Sequence, residues 1–151
     1  MSTEPFAVAV HWARTDADTT EAFHRGHDVV YGSGTTIPAS SAPAYSGDAD
    51  RVNPEEQLIG ALSSCHMLTF LAVAAKKRFT VASYDDDASG ILDRNAAGRL
   101  AVTVVTLTPK ATFSGDKQPT VDDVKAMHEA AHRNCFIANS VACDVRVEPR
   151  V

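Results

Sequence analysis

Three cysteines carry most of the chemical potential of this chain, and their settings differ. Cys65 and Cys135 lie far apart in sequence, each on or at the end of a segment that reads as helix. If folding brings their Cα atoms within roughly 7 Å, they can bridge. Such a pair could cycle: one thiolate attacks an oxidant, becomes a sulfenic acid and is resolved by the other thiol. The attacking cysteine then needs a lowered pKa. Cys65 sits about three turns into its helix, too deep for the N-terminal dipole, so a cation is expected from elsewhere, best an arginine. The rival chemistry is metal binding. His128, His132 and Cys135 share one helical face, and with Cys65 they make a four-ligand zinc set, although the paired CxxC of strong zinc sites is missing. Packing alone is the third option, since free cysteine is among the most buried residue types. Cys143 takes that role, because Val141, Cys143, Val145 and Val147 alternate with polar or small residues and put it on a core face. No Gly-rich phosphate loop or GxSxG elbow is present.

The elements that must position these residues begin with one long helix, Asn53 to Arg78. Asn53 is a good N-cap, Pro54 suits the first helical position, and Glu56 stands in capping-box spacing. Lys76, Lys77 and Arg78 complement the carbonyl end. Leu58 to Ala75 is apolar nearly all round, which predicts a buried helix, too interrupted to be read as a membrane span. Before it, Phe6–Trp12 and Phe23–Tyr31 read as a strand hairpin, and Gly32–Asp50 as a long loop. After it, Thr80–Ser89 and Arg99–Phe113 read as strands, with Asp85 to Asp87 as a solvated edge. Thr120 caps a second helix from Val121 to about Arg133, and Val141–Glu148 closes the chain as a strand. Strands and helices do not strictly alternate, so the pattern is α+β and not doubly wound.

Helix geometry also constrains Glu55. It precedes Cys65 by ten positions, about 15 Å along the axis. If both belong to one site, the glutamate must come from a second subunit.

With 151 residues, 44% of them hydrophobic, the chain can build one globular domain spanning 1–151. A net charge of −5 without a basic run argues against nucleic acid or an anionic membrane surface as partner. The polar start of the chain lacks the charged-then-apolar preface of a signal peptide, and three scattered cysteines make no secreted disulfide framework. A cytoplasmic protein is expected.

Two stretches taken together resemble the OsmC/Ohr family of thiol-dependent hydroperoxide reductases. One is Asn53-Pro54-Glu55-Glu56 opening the helix that reaches Ser64-Cys65-His66. The other runs from His128 through His132 to Cys135-Phe136-Ile137-Ala138-Asn139-Ser140. Order and spacing agree over nearly the whole chain. The resemblance implies an OsmC-like α+β fold with antiparallel sheets around a long buried central helix. It implies an intertwined homodimer with active sites at the subunit interface. It makes Cys65 the peroxidatic thiol, Cys135 the resolving thiol and Glu55 the residue that holds a catalytic arginine. The arginine is where the chain departs, because the Gly-rich turn that carries it in the organic-hydroperoxide branch is absent. Arg25, inside the second predicted strand, is the first candidate and Arg14 the next, with Arg51 just before the helix cap. Cys65-His66-Met67 looks more like the OsmC-like branch than the dedicated hydroperoxidases.

The expected function is reduction of organic, bulky or lipid hydroperoxides in oxidative or osmotic stress defence, without cofactor or metal. A dithiol or lipoyl group would be the reductant. The alternatives are a stress protein that binds a hydrophobic ligand without turnover, and a zinc protein.

Overall fold

Valine and threonine runs, broken by Gly, Pro and Asp turns, set the strands of this protein, and two capped segments set its helices. The structure, a computed structural model, describes Thr3 and residues 5–151. They fall into two compact units, Met1–Gln57 and Leu58–Val151.

In the N-terminal unit β1 (Val8–His11), β2 (His27–Tyr31) and β3 (Thr36–Ala39) form an antiparallel sheet in the order β1-β2-β3. The strands are shorter than the sequence suggests. Residues 23–26 lie outside β2, so Arg25 is in the loop and not in the strand. The segment 32–50, expected to be loop, contains β3 and a 3-10 turn at Pro43–Tyr45. Gly47 closes that turn, where a Cβ would sit 1.6 Å from the Ser41 carbonyl oxygen. Ala39 bridges to Val52, which delivers the chain to the cap of the long helix α1 (Pro54–Lys76). The Glu56 N–H donates to Asn53 Oδ1 at 2.9 Å, and Asn53 Nδ2 donates to Glu56 Oε1 at 3.0 Å, as the cap spacing predicts. Tyr31 donates its hydroxyl to Gln57 Oε1 at 2.8 Å, tying β2 to the first turn.

The C-terminal unit holds the rest of α1, two sheets and α2 (Val121–Asn134). β4 (Thr80–Asp86) pairs antiparallel with β7 (Pro109–Ser114). β5 (Ser89–Arg94), β6 (Leu100–Leu107) and β8 (Asp144–Val147) form the other sheet, antiparallel between β5 and β6 but parallel between β6 and β8. The expected strand Thr80–Ser89 is thus cut at Asp87 into two strands in different sheets. The Arg99–Phe113 stretch divides the same way around Thr108. Asp86 makes the cut: it accepts from Ser63 Oγ at 2.5 Å and from the Thr108 N–H at 2.6 Å. It anchors the crossover and is not part of a solvated edge. Thr120 caps α2 through a reciprocal box with Asp123.

α1 is buried along one stripe only, Leu62, His66, Phe70 and Ala74, at four-residue intervals. Phe70 and Ala74 pack with Met127 and Ala131 of α2 and with Phe113 and Tyr84 of the β4–β7 sheet. Leu62 packs with Val105 and Leu107 of β6. The expectation of a helix buried all round fails in the single chain, because the described residues cover one face. Leu68, on another face, is 60% exposed. By length and mean hydropathy (1.8) α1 is long and apolar enough to cross a membrane. Arg78, just past its end, adopts the left-handed conformation (φ 62°) that stops the helix. The fold is α+β, with largely antiparallel sheets and two helices.

Candidate active site

Cys65 stands one position before His66, so it lies about 100° around α1 from the buried stripe. That places its sulfur at the margin of the core, partly exposed. It opens onto a cleft of about 520 Å³ lined by Leu68, Thr69, Ala72 and Phe136. Cys135 is the C-cap of α2 and is buried. Beyond it the chain turns sharply: the Ala138 N–H donates to Cys135 Sγ at 3.4 Å, and the Asn139 N–H to the Cys135 carbonyl at 3.1 Å. A 3-10 turn follows at Ala138–Ser140.

This turn brings the two thiols together and treats them unequally. Burial works to raise the pKa of Cys65, but hydrogen bonds outweigh it and hold the thiol below its ordinary value. The donors, from the largest effect down, are the Ile137 N–H, the Cys135 thiol, the Phe136 N–H and the Thr69 hydroxyl. The single Thr69 hydroxyl proton is shared with the Cys65 carbonyl oxygen, 2.8 Å away. Backbone N–H groups near a sulfur favour its charged form. Burial pushes the Cys135 thiol up, and its role as donor to the Cys65 thiolate adds to that. One sulfur is therefore poised as a nucleophile and its neighbour as a protonated thiol. The sequence reading looked for a cation to activate Cys65; in the chain the work is done by uncharged donors. Asn139 and Ser140, both turn formers, were the only sequence signal for them.

The zinc set does not assemble. His66 and His128 lie edge to edge, nearly coplanar, with His66 Nε2 and His128 Nδ1 3.0 Å apart. His128 therefore faces His66 and the Phe70 ring (centroids 4.2 Å apart), not the cysteines. Among the described residues no group of three or more His, Cys, Asp or Glu is arranged to hold a metal ion. Burial, then a neighbouring histidine, lowers the pKa of both imidazoles to about 4, so the pair is neutral near pH 7. Cys143 packs against the Leu62–Val105–Leu107 cluster, as its strand pattern predicts.

Glu55, Arg14 and Arg25 belong to the N-terminal unit. Glu55 Oε2 is buried and without a hydrogen-bond partner among the described residues. Arg51 reaches the His27 carbonyl at 3.3 Å and Asp48 at 3.9 Å. Arg14 donates to the Thr19 carbonyl at 2.7 Å and lies 5.6 Å from the Trp12 ring centroid. Arg25 donates to the Phe23 carbonyl and lies 4.0 Å from the Phe23 ring centroid. Both line an apolar cleft of about 560 Å³ with Trp12, Phe23, His24 and Pro54.

Asp18 organises this loop. Its carboxylate accepts from the Thr15 N–H and hydroxyl, the His24 N–H and His24 Nδ1, the last at 2.5 Å. The Thr15 N–H bond is the chief reason its carboxyl stays well below the usual range. Trp12 stacks on His24 and donates its indole N–H to the His24 carbonyl at 3.0 Å. The network joins Asp18 to Thr15, three positions away, and to His24, six positions away.

A family model described as OsmC-like protein matches residues 47–150. Among solved structures, an OsmC-like protein of unknown function from Vibrio cholerae is 41% identical, with a TM-score of 0.94 over 98% of this chain and 100% of that one. An organic hydroperoxide resistance protein from Legionella pneumophila matches at 15% identity over 100% of both chains, TM-score 0.77. One from Bacillus subtilis matches at 15% identity over 99% of this chain and 100% of its own, TM-score 0.71. At 15% identity these last two likenesses concern the fold alone. No curated protein matches the chain.

Proposed function

The chain belongs to the OsmC-like protein family, and from that premise we propose that it is a two-cysteine peroxidase that reduces organic hydroperoxides. The observation that carries this reading is the Cys65–Cys135 pair, one thiol held low chiefly by the Ile137 N–H and its neighbour pushed up chiefly by burial. The Cys65 thiolate attacks the distal peroxide oxygen. The O–O bond breaks, the alkoxide takes a proton and leaves as alcohol, and Cys65 becomes a sulfenic acid. Cys135 then attacks that sulfur, water leaves and a disulfide forms. An external dithiol, such as a lipoyl group, restores both thiols by exchange. The apolar cleft beside Cys65 suits a bulky or lipid peroxide better than hydrogen peroxide.

The working form is a homodimer of the cytoplasm, with its active sites at the subunit interface. Its support is the uncovered apolar face of α1 and the exposed apolar residues of two strands, Val8 and Val10 on β1 and Ile91 and Leu92 on β5. In that dimer Glu55 of the partner subunit orients Arg25 of its own chain toward Cys65. The unpartnered Glu55 oxygen supports this, since a buried carboxylate oxygen calls for a donor.

Mass spectrometry after one equivalent of cumene hydroperoxide tests the chemistry. The expected product is a disulfide mapped to Cys65 and Cys135, two hydrogens lighter than the reduced protein. Thiols unchanged by one equivalent would overturn the reading. A second reading, binding of a hydrophobic ligand without turnover, is favoured by the apolar cleft around Trp12 and predicts co-purified ligand in native mass spectra.

A further inference from the structure

The peroxide reaction expels an alkoxide, a strong base that must take up a proton. An arginine cannot give one, because a guanidinium does not deprotonate in proteins. Arg25, which the reading above turns toward Cys65, shares its apolar cleft with His24, the residue before it. Among the described residues His24 is the one histidine whose ring bonds a carboxylate, with Nδ1 2.5 Å from Asp18 Oδ2. The Asp18 side chain is only 6% exposed, and the Thr15 N–H above all holds its carboxyl well below the usual range. An ionised carboxylate only accepts hydrogen bonds, so Nδ1 carries a hydrogen and Nε2 is the atom left to exchange a proton. Nε2 has no hydrogen-bond partner among the described residues. Trp12 fixes the ring by stacking on it, centroids 5.3 Å apart, and by donating its indole N–H to the His24 carbonyl. A buried carboxylate, an oriented imidazole and an open Nε2 are the parts of a general acid–base couple.

We propose that His24, backed by Asp18, is the general acid of the peroxide reaction. The Cys65 thiolate bonds the distal oxygen and the O–O electron pair passes to the other oxygen. The Nε2 proton of the His24 imidazolium moves to that oxygen, and alcohol leaves. Neutral His24 regains a proton from water, which its partly exposed ring can reach. The inference rests on the reading above for the reaction itself.

Two aromatic peroxides separate this role from a structural one. Cumene hydroperoxide releases an alkoxide that must be protonated, whereas perbenzoic acid releases a carboxylate, which leaves as the anion at neutral pH. His24→Gln is expected to lower kcat/KM about a hundredfold for cumene hydroperoxide and less than about threefold for perbenzoic acid. Asp18→Asn is expected to show the same split, and its absence there would remove Asp18 from the couple. His27 lines the same cleft, but its Nδ1 meets only the Arg25 carbonyl, at 2.8 Å. A split found in His27→Gln and not in His24→Gln overturns the assignment to His24. Equal loss for both peroxides in His24→Gln, as from a damaged fold, or no loss for either, overturns the proposal and leaves the Cys65 chemistry standing. A wild-type chain inert to both peroxides sinks the peroxidase and its acid together.

Discussion

In the C-terminal unit a reactive sulfur is surrounded by neutral donors, the N–H groups of Ile137 and Phe136, a thiol and a hydroxyl. In the N-terminal unit two guanidinium groups rest on aromatic rings in a cleft that no cysteine lines. The difference teaches that, in the proposed reaction, making a thiolate is separate from handling charge on a substrate. Fixed backbone dipoles can favour the thiolate without a charged neighbour. The arginines are then free to meet charge that arrives with, or develops on, the other reactant.

The largest expected effect tests whether the sulfur centre carries the reaction at all. Cys65→Ser is expected to cut peroxide consumption by about a thousandfold or more, while Cys143→Ser leaves it intact. Equal loss in both variants would show that Cys143 does more than pack.

Next comes the neutrality of the scaffold beneath that centre. His66 and His128 have folded pKa values of about 4 against an ordinary 6.5. The unfolded chain therefore binds more protons between those values, and stability falls as pH drops from 6.5 toward 4. A loss on the order of 3 kcal/mol for each histidine is expected, read as a falling midpoint in urea unfolding. His66→Gln, which keeps a polar partner for His128 but cannot titrate, makes that slope shallower. A wild-type midpoint flat across this range would mean that the pair takes up protons in the folded chain as readily as in the unfolded one.

A third test sets the two regions directly against each other. Arg25→Gln is expected to lower kcat/KM for a hydroperoxide by about tenfold to a hundredfold. The pH midpoint of Cys65 alkylation by iodoacetamide should meanwhile move by less than about half a unit. A shift of a full unit or more would break the comparison, since the cation would then be making the thiolate. The smallest effect sharpens it. Cys135→Ala removes one donor of several and is expected to raise the Cys65 midpoint while leaving it below that of an ordinary thiol.

Local rules written in neighbouring residues survived intact. The Asn53 and Thr120 caps, both helices, the packed Cys143 and the α+β class follow from spacing and residue type, because caps and periodicity act over a few residues. The motif residues Cys65 and Cys135 were legible for the same reason. What sequence could not supply was pairing across distance. Strand ends shifted, the 80–89 strand split at Asp87, and β8 ran parallel to β6, since sheet partners are chosen by the whole fold. An apolar helix surface looked uniformly buried until tertiary contacts covered one stripe and left the rest bare. The sequence by itself marked Cys65 and Cys135 as the candidate reactive thiols and determined which helices hold them. Only the tertiary structure decided what lowers the pKa of Cys65, because N–H groups belong to every residue and acquire a role only when a turn aims them at one atom.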